Sequence, residues 1–108
     1  MTRPENLDRP RFGSFREFYP FYLAEHANRT NRRLHFTGTL LLLVTALVAA
    51  LLERPALLWL LPVIGYGFAW LGHYAFEKNR PATFRHPFYS LAGDFVMFRD
   101  MLTGRIPF

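Results

Sequence analysis

Two stretches of the chain carry no charge at all. Between Arg33 and Glu53, and again between Arg54 and Glu77, there is no Asp, Glu, Lys or Arg. A helix that crosses the hydrocarbon core of a bilayer needs about 20 predominantly apolar residues, so residues 34–52 and 55–76 read as two spans. Only Glu53, Arg54 and Pro55 separate them, and proline suits a first helical turn, where its missing N–H has no partner to lose. The pattern predicts a tight antiparallel hairpin. A soluble four-helix core is the alternative, but residues 40–52 are apolar on every face of a helix, which favours lipid.

The flanks alternate differently. Ser14 followed by Glu17 fits a capping box, and the aromatic, charge-interrupted stretch after it predicts an interfacial helix over residues 14–28, bent near Pro20. Residues 1–13, with Pro4, Pro10, Gly13 and several charges, read as a flexible arm. Near the other end Phe88, Leu91, Phe95, Phe98 and Leu102 recur at steps of three and four, with Ser90 and Asp94 off the stripe. That spacing predicts a second interfacial amphipathic helix over residues 87–102. The expected fold is an all-α integral membrane domain spanning residues 14–108: a transmembrane hairpin flanked by two interfacial helices.

Charge sets its orientation. Residues 1–33 hold seven arginines against four acids, residues 77–108 five cations against three acids, and the connecting turn is neutral. Positive loops stay on the cytoplasmic side, so both termini are expected there. The net charge is +5, and because it flanks apolar runs it reads as anchoring to anionic headgroups rather than nucleic-acid binding. Twelve of the thirteen cations are arginine, a bias that suggests a GC-rich bacterial genome and hence a multi-pass inner-membrane protein. The first 33 residues lack the apolar core of a signal peptide. Cysteine is absent, which excludes disulfides, thiolate-bound zinc and iron–sulfur clusters. Any metal must take imidazole and oxygen ligands, which suit iron, zinc or manganese.

The four histidines are His26, His35, His73 and His86. His35 lies two residues inside Arg33 and His73 four residues inside Glu77, so both fall within about 6 Å of one charged boundary. His26 and His86 adjoin the same face, so all four imidazoles can meet there. A single histidine near a helix end usually just meets water; four gathered at a membrane edge point to a shared metal. His26 and His35 are nine residues apart, about two and a half turns, and so on opposite faces of one continuous helix. If both bind one ion the helix must break, and Asn28, Arg29, Thr30 and Asn31 suit a break and a new cap. Pro87 would aim His86 independently of the helix after it. On the second span Tyr66, Trp70, His73 and Glu77 form one stripe, and Gly65, Ala69 and Gly72 a neighbouring stripe of small residues that permits close helix contact; Gly38, Thr45 and Ala49 are its expected counterpart. Tyr66 and Trp70 read equally as interfacial anchors. Glu77 could ligate, accept a hydrogen bond from His73, or be solvated, and the second is favoured; Asp94 has the same choices.

The pattern His26, Asn28-Arg29, His35-Phe36-Thr37-Gly38, then Gly72-His73, Phe76-Glu77-Lys78-Asn79-Arg80-Pro81-Ala82, then Ser90-Leu91 resembles the Mpo-like 2-hydroxy fatty acid dioxygenases over residues 18–101. Gly-His-x-x-x-Glu followed closely by Pro-Ala is its most specific part. The studied fungal members are endoplasmic-reticulum proteins that use Fe(II) and O2 to shorten 2-hydroxy fatty acids by one carbon. The resemblance implies Fe(II) held by His26, His35 and His73; Glu77, from its place on the His73 stripe, is a further catalytic candidate, and His86 is a fourth possible ligand without a fungal counterpart. It implies no other reductant, because the substrate supplies all four electrons. Arg29 and Arg33 are candidates for its carboxylate, as are Arg32 and Arg85; Tyr66 and Trp70 are candidates for the rest of it. The acyl tail would lie beside the hairpin, walled by a homodimer partner or by lipid. Two competitors stand beside this reading: a haem carrier with His35 and His73 as axial ligands, and a non-catalytic membrane scaffold. A zinc hydrolase has only Glu77 in its favour.

Overall fold

The computed structural model describes residues 12–108, so the arm expected at residues 1–13 lies almost wholly outside them. Four helices follow in order: α1 (Phe15–Ala24), α2 (Arg29–Leu51), α3 (Leu60–Leu71) and α4 (Pro87–Leu102). A 3-10 turn, Pro55–Trp59, leads into α3, which widens into a π-helical turn, Gly72–Glu77; a second 3-10 turn, Ala82–Phe84, precedes α4. No strand occurs among the described residues.

Local chemistry explains the boundaries. The Ser14 hydroxyl accepts from the Glu17 N–H at 3.3 Å, and the Glu17 carboxylate in turn accepts from Gly13 N–H at 2.9 Å. Helix α1 runs through Pro20 but stops at Ala24, four residues short of the expected end. Helix α2 starts at Arg29, five residues earlier than the charge-free run suggests. Both shifts trace to Asn28: its backbone is extended (φ −76°, ψ 127°) and its side chain accepts from Asn31 N–H at 3.1 Å, making it the N-cap of α2. Arginines 29, 32 and 33 thus ride on the first turns of the long helix.

Helices α2 and α3 pack antiparallel, and glycine allows two close approaches. A Cβ on Gly38 would lie 2.8 Å from Phe68 Cβ, and one on Gly72 would lie 2.0 Å from Asn31 Oδ1. Arg29–Leu51 and the continuous rod Pro55–Glu77 are each 23 residues, long and apolar enough to cross a membrane. At the histidine end of this hairpin, α1 and α4 pack on one another around Phe18, Tyr22, Met97 and Met101.

The distribution of polarity is inverted. His26, Asn31, His35, Thr39, His73, Ser90 and Asp100 are buried, whereas Leu47, Leu51, Trp59 and Val63 are 58–81% exposed. Helix α4 follows the same rule: the stripe containing Phe88, Leu91, Phe95 and Leu102 faces outward, and Ser90, Gly93, Met97, Asp100 and Met101 face the protein. Ser90 and Asp100, off the apolar stripe, therefore line the interior.

Candidate metal centre

Three elements bring three histidines to one point. His26 sits in the turn after α1, His35 two turns into α2, and His73 in the π turn that ends α3. Ring centroids of His26 are 4.5 Å from those of both His35 and His73, which lie 5.0 Å apart. One nitrogen from each ring falls within 4.8 Å of the others, and all three residues are buried.

Each ring is held by its other nitrogen. His26 Nδ1 lies 2.6 Å from the Tyr22 carbonyl, His35 Nδ1 3.2 Å from Asp94 Oδ1, and His73 Nδ1 2.7 Å from Asn79 Oδ1. A carbonyl and a carboxylate are acceptors only. The Asn79 amide is oriented by its NH2, which donates to the Glu25 carbonyl at 3.1 Å, so its oxygen faces His73. Each Nδ1 is thus committed to an acceptor outside the cluster, the arrangement by which second partners aim metal-binding imidazoles. His26 Nε2 and His35 Nε2 are buried without any hydrogen-bond partner, a state that native structures avoid unless something else occupies the lone pair. Burial, reinforced by His35 and His73, pushes the His26 imidazole well below its usual range against the opposing effect of its bond to Tyr22. It is the neutral ligand form.

Tyr22 supports two ligands at once. Its carbonyl accepts from His26, its ring stacks on His26 at 4.0 Å, and its hydroxyl donates to the same Asp94 oxygen that holds His35. Burial, with Asp94 beside it, raises the phenol well above its usual range, so Tyr22 stays a donor. Gly93 lets the ring approach: a Cβ there would lie 2.8 Å from the tyrosine ring.

The π turn explains His73 and Glu77 together. Widening the helix at Gly72 and closing it with Lys78 in the left-handed region (φ 64°) brings Asn79 N–H back to the His73 carbonyl at 3.1 Å. Glu77 is thereby turned away from His73. Its carboxylate accepts from the backbone N–H groups of Ala27 and Asn28 at 3.1 and 2.8 Å and from the Asn31 amide at 3.0 Å. Glu77 is neither a ligand nor an acceptor for His73; it clamps the α1–α2 junction to the π turn, and Asn79 takes the role expected of it.

His86 does not join the cluster. It precedes α4, and its ring stands edge-on to Phe12 and Phe18 at 5.2 and 5.4 Å, held there by the turn that bonds His86 N–H to the Ala82 carbonyl at 2.8 Å. The arginines also lie elsewhere. Arg29 is exposed, Arg33 donates to the Phe108 carbonyl at 2.8 Å, and Arg32 donates to the carbonyls of His26 and Ala27. Tyr66 and Trp70, by contrast, line the histidine cavity.

That cavity has a volume of about 30 Å³, and Ser90, Thr83 and Leu91 complete its wall. It has room for an ion and a small ligand. Ser90 Oγ is buried there without a partner. Ser90 belongs to the motif that carries the resemblance, without a role assigned to it there, whereas Tyr22 does not stand out in the sequence although it is one helical turn before His26.

Three imidazoles without thiolate fit iron, zinc or another divalent first-row metal, and three protein ligands leave coordination positions open. A family model described as 2-hydroxy-palmitic acid dioxygenase Mpo1-like matches residues 12–106. The chain belongs to the Mpo1-like family. The match extends a few residues beyond both ends of the resemblance carried by the histidine motifs, and it includes every residue of the cluster and its supports. No curated protein and no solved structure matches the chain. The Mpo1-like description names a dioxygenase of 2-hydroxy-palmitic acid; the three-histidine centre is a place in this chain that could hold a metal.

Proposed function

We propose that the protein is a membrane-embedded, Fe(II)-dependent dioxygenase that converts a 2-hydroxy fatty acid and O2 to the one-carbon-shorter fatty acid, CO2 and water. The observation that carries the reading is the convergence of three buried histidines, each with its Nδ1 hydrogen-bonded outside the cluster, on one point at the end of two apolar helices. The reaction balances without a further reductant: the carbon bearing the hydroxyl rises to a carboxyl, the original carboxyl leaves as CO2, and the four electrons lost by the acid reduce O2. Fe(II), when bound, supplies O2 activation and a positive charge for the acid's head group.

The chain's own residues do the rest. His26, His35 and His73 would bind as imidazoles, which add no negative charge, so a bound divalent metal would keep its full charge for an anionic substrate. Tyr22, Asp94 and Asn79 keep the rings from rotating. The unpartnered Ser90 hydroxyl offers the head group a hydrogen bond inside the cavity. Tyr66 and Trp70 wall that cavity and limit the entry of water.

The membrane placement rests on polarity. In a soluble bundle the most apolar helices are the core, yet only 22% and 11% of the most apolar windows of the two long helices are buried. Exposed faces this apolar call for lipid. A head group at the histidines with its tail beside the hairpin suits a substrate that is itself a lipid.

Given Fe(II) and 2-hydroxypalmitate under air, purified protein is expected to take up one O2 for each pentadecanoate formed, with no requirement for 2-oxoglutarate. Iron-loaded protein that consumes no O2, or whose product keeps all its carbons, would sink the reading.

A further inference from the structure

The histidine cavity continues into a second space of about 270 Å³, and His35, Tyr66, Leu91 and Asp94 line both. Beyond those four residues the walls carry no charge: Thr39 and Leu42 come from α2, Leu61, Pro62 and Gly65 from α3, and Phe95 from α4. His35, Thr39 and Leu42 recur at four and three residues and share one face of α2, which gives the groove a length of about 10 Å from the histidines. One end is polar and the rest aliphatic or aromatic. At its lip Leu91 and Phe95 are 51% and 38% exposed, so the groove opens sideways toward the outward apolar surface.

Gly65 differs from the other interhelical glycines. At Gly38 and Gly72 an added Cβ would strike the facing helix, so those glycines serve packing. At Gly65 the nearest heavy atom to an added Cβ is Leu42 Cδ1, at 3.3 Å, with nothing else within 4 Å. The contact is with the far end of a flexible side chain. Helix packing therefore does not require glycine here; the space it leaves is part of the groove.

We propose that this groove holds a single acyl chain whose head lies at the three histidines, and that Gly65 sets how long a chain it admits. The occupant follows from the walls and from the function proposed above, on which it rests: a polar terminus at His35 and Asp94, an uncharged slot beyond it, and a lateral opening toward the outward apolar surface. Gly65 faces Leu42, about 10 Å from His35 along the helix. An extended chain advances roughly 1.2 Å per bond, a third of the ~3.6 Å that a three-bond residue spans. A short 2-hydroxy acid therefore ends before Gly65, and a long one passes it.

Two measurements test this. The first compares Gly65→Ala and Gly65→Leu with the native chain on 2-hydroxyhexanoate and 2-hydroxypalmitate. In the leucine variant the ratio of kcat/KM for the long acid to that for the short one is expected to fall roughly tenfold or more, with a smaller fall in the alanine variant. An unchanged ratio would overturn the assignment. The second uses the absence of cysteine: Gly65→Cys places the only thiol of the chain in the groove. Maleimide labelling of that thiol is expected to slow several-fold with 2-hydroxypalmitate or palmitate and not with 2-hydroxyhexanoate. Labelling that neither long acid slows would mean the tail lies elsewhere. Protection by both long acids without O2 uptake from any hydroxy acid would keep the groove and remove the dioxygenase reading.

Discussion

Gly72→Ala is expected to destabilise the protein by roughly 2–3 kcal/mol, the cost of overpacking a tight contact, and to reduce its metal content as well. The added methyl group would meet Asn31 on three atoms, at 2.0 Å from Oδ1, 3.0 Å from Cγ and 3.3 Å from the backbone Cα. The side chain cannot simply swing aside, because its NH2 donates to Glu77, and the backbone cannot yield without moving α2. Glu77 in turn holds the N–H groups of Ala27 and Asn28. One methyl group thus pushes on the clamp that sets His26 against His73. Gly67→Ala is the contrasting case: nothing lies within 4 Å of its added Cβ, and alanine is favoured over glycine inside a helix by about 1 kcal/mol. Thermal denaturation of the two variants beside the native chain checks both signs. Equal stability of Gly72→Ala and the native chain would contradict the packing described for Asn31.

Asp94→Ala is expected to weaken metal binding by about 10–100-fold, the usual effect of removing a partner that orients a ligand. Asp94 accepts from His35 Nδ1 and from the Tyr22 hydroxyl, so its loss frees one ligand and loosens the residue that holds another. Asp94→Asn keeps an acceptor oxygen and should fall between the native chain and alanine. Asn79→Ala should act on His73 in the same way. Competition for iron with a chelator gives the affinities directly. Unchanged affinity in both alanine variants would mean that the rings need no such support.

Much of this architecture is legible in the chain. Charge-free runs of helical length set the two long helices, since Asp, Glu, Lys and Arg are costly to bury in hydrocarbon. The histidines converge because two of them sit at equal depth in an antiparallel pair. Asn28 marks the break because its side chain can cap a helix that the backbone would otherwise have to continue. What was hidden depends on contacts between distant segments. The π turn has no periodic signature, and without it Glu77 falls on the His73 stripe. Asn79 reaches His73 only through the left-handed Lys78, and Tyr22 meets Asp94 across 72 residues of sequence. His86 fits the cluster by position along the chain and leaves it because its ring packs edge-on against Phe12 and Phe18 instead of facing the centre.

The most direct test is iron content after anaerobic purification, for the native chain and for alanine variants at each of the four histidines. We expect about one iron per chain in the native protein, retention in His86→Ala, and loss in His26→Ala, His35→Ala and His73→Ala, with three such ligands the fewest that close one face of an ion. Iron that persists in all three cluster variants, or is lost only with His86, would contradict a metal centre at this point.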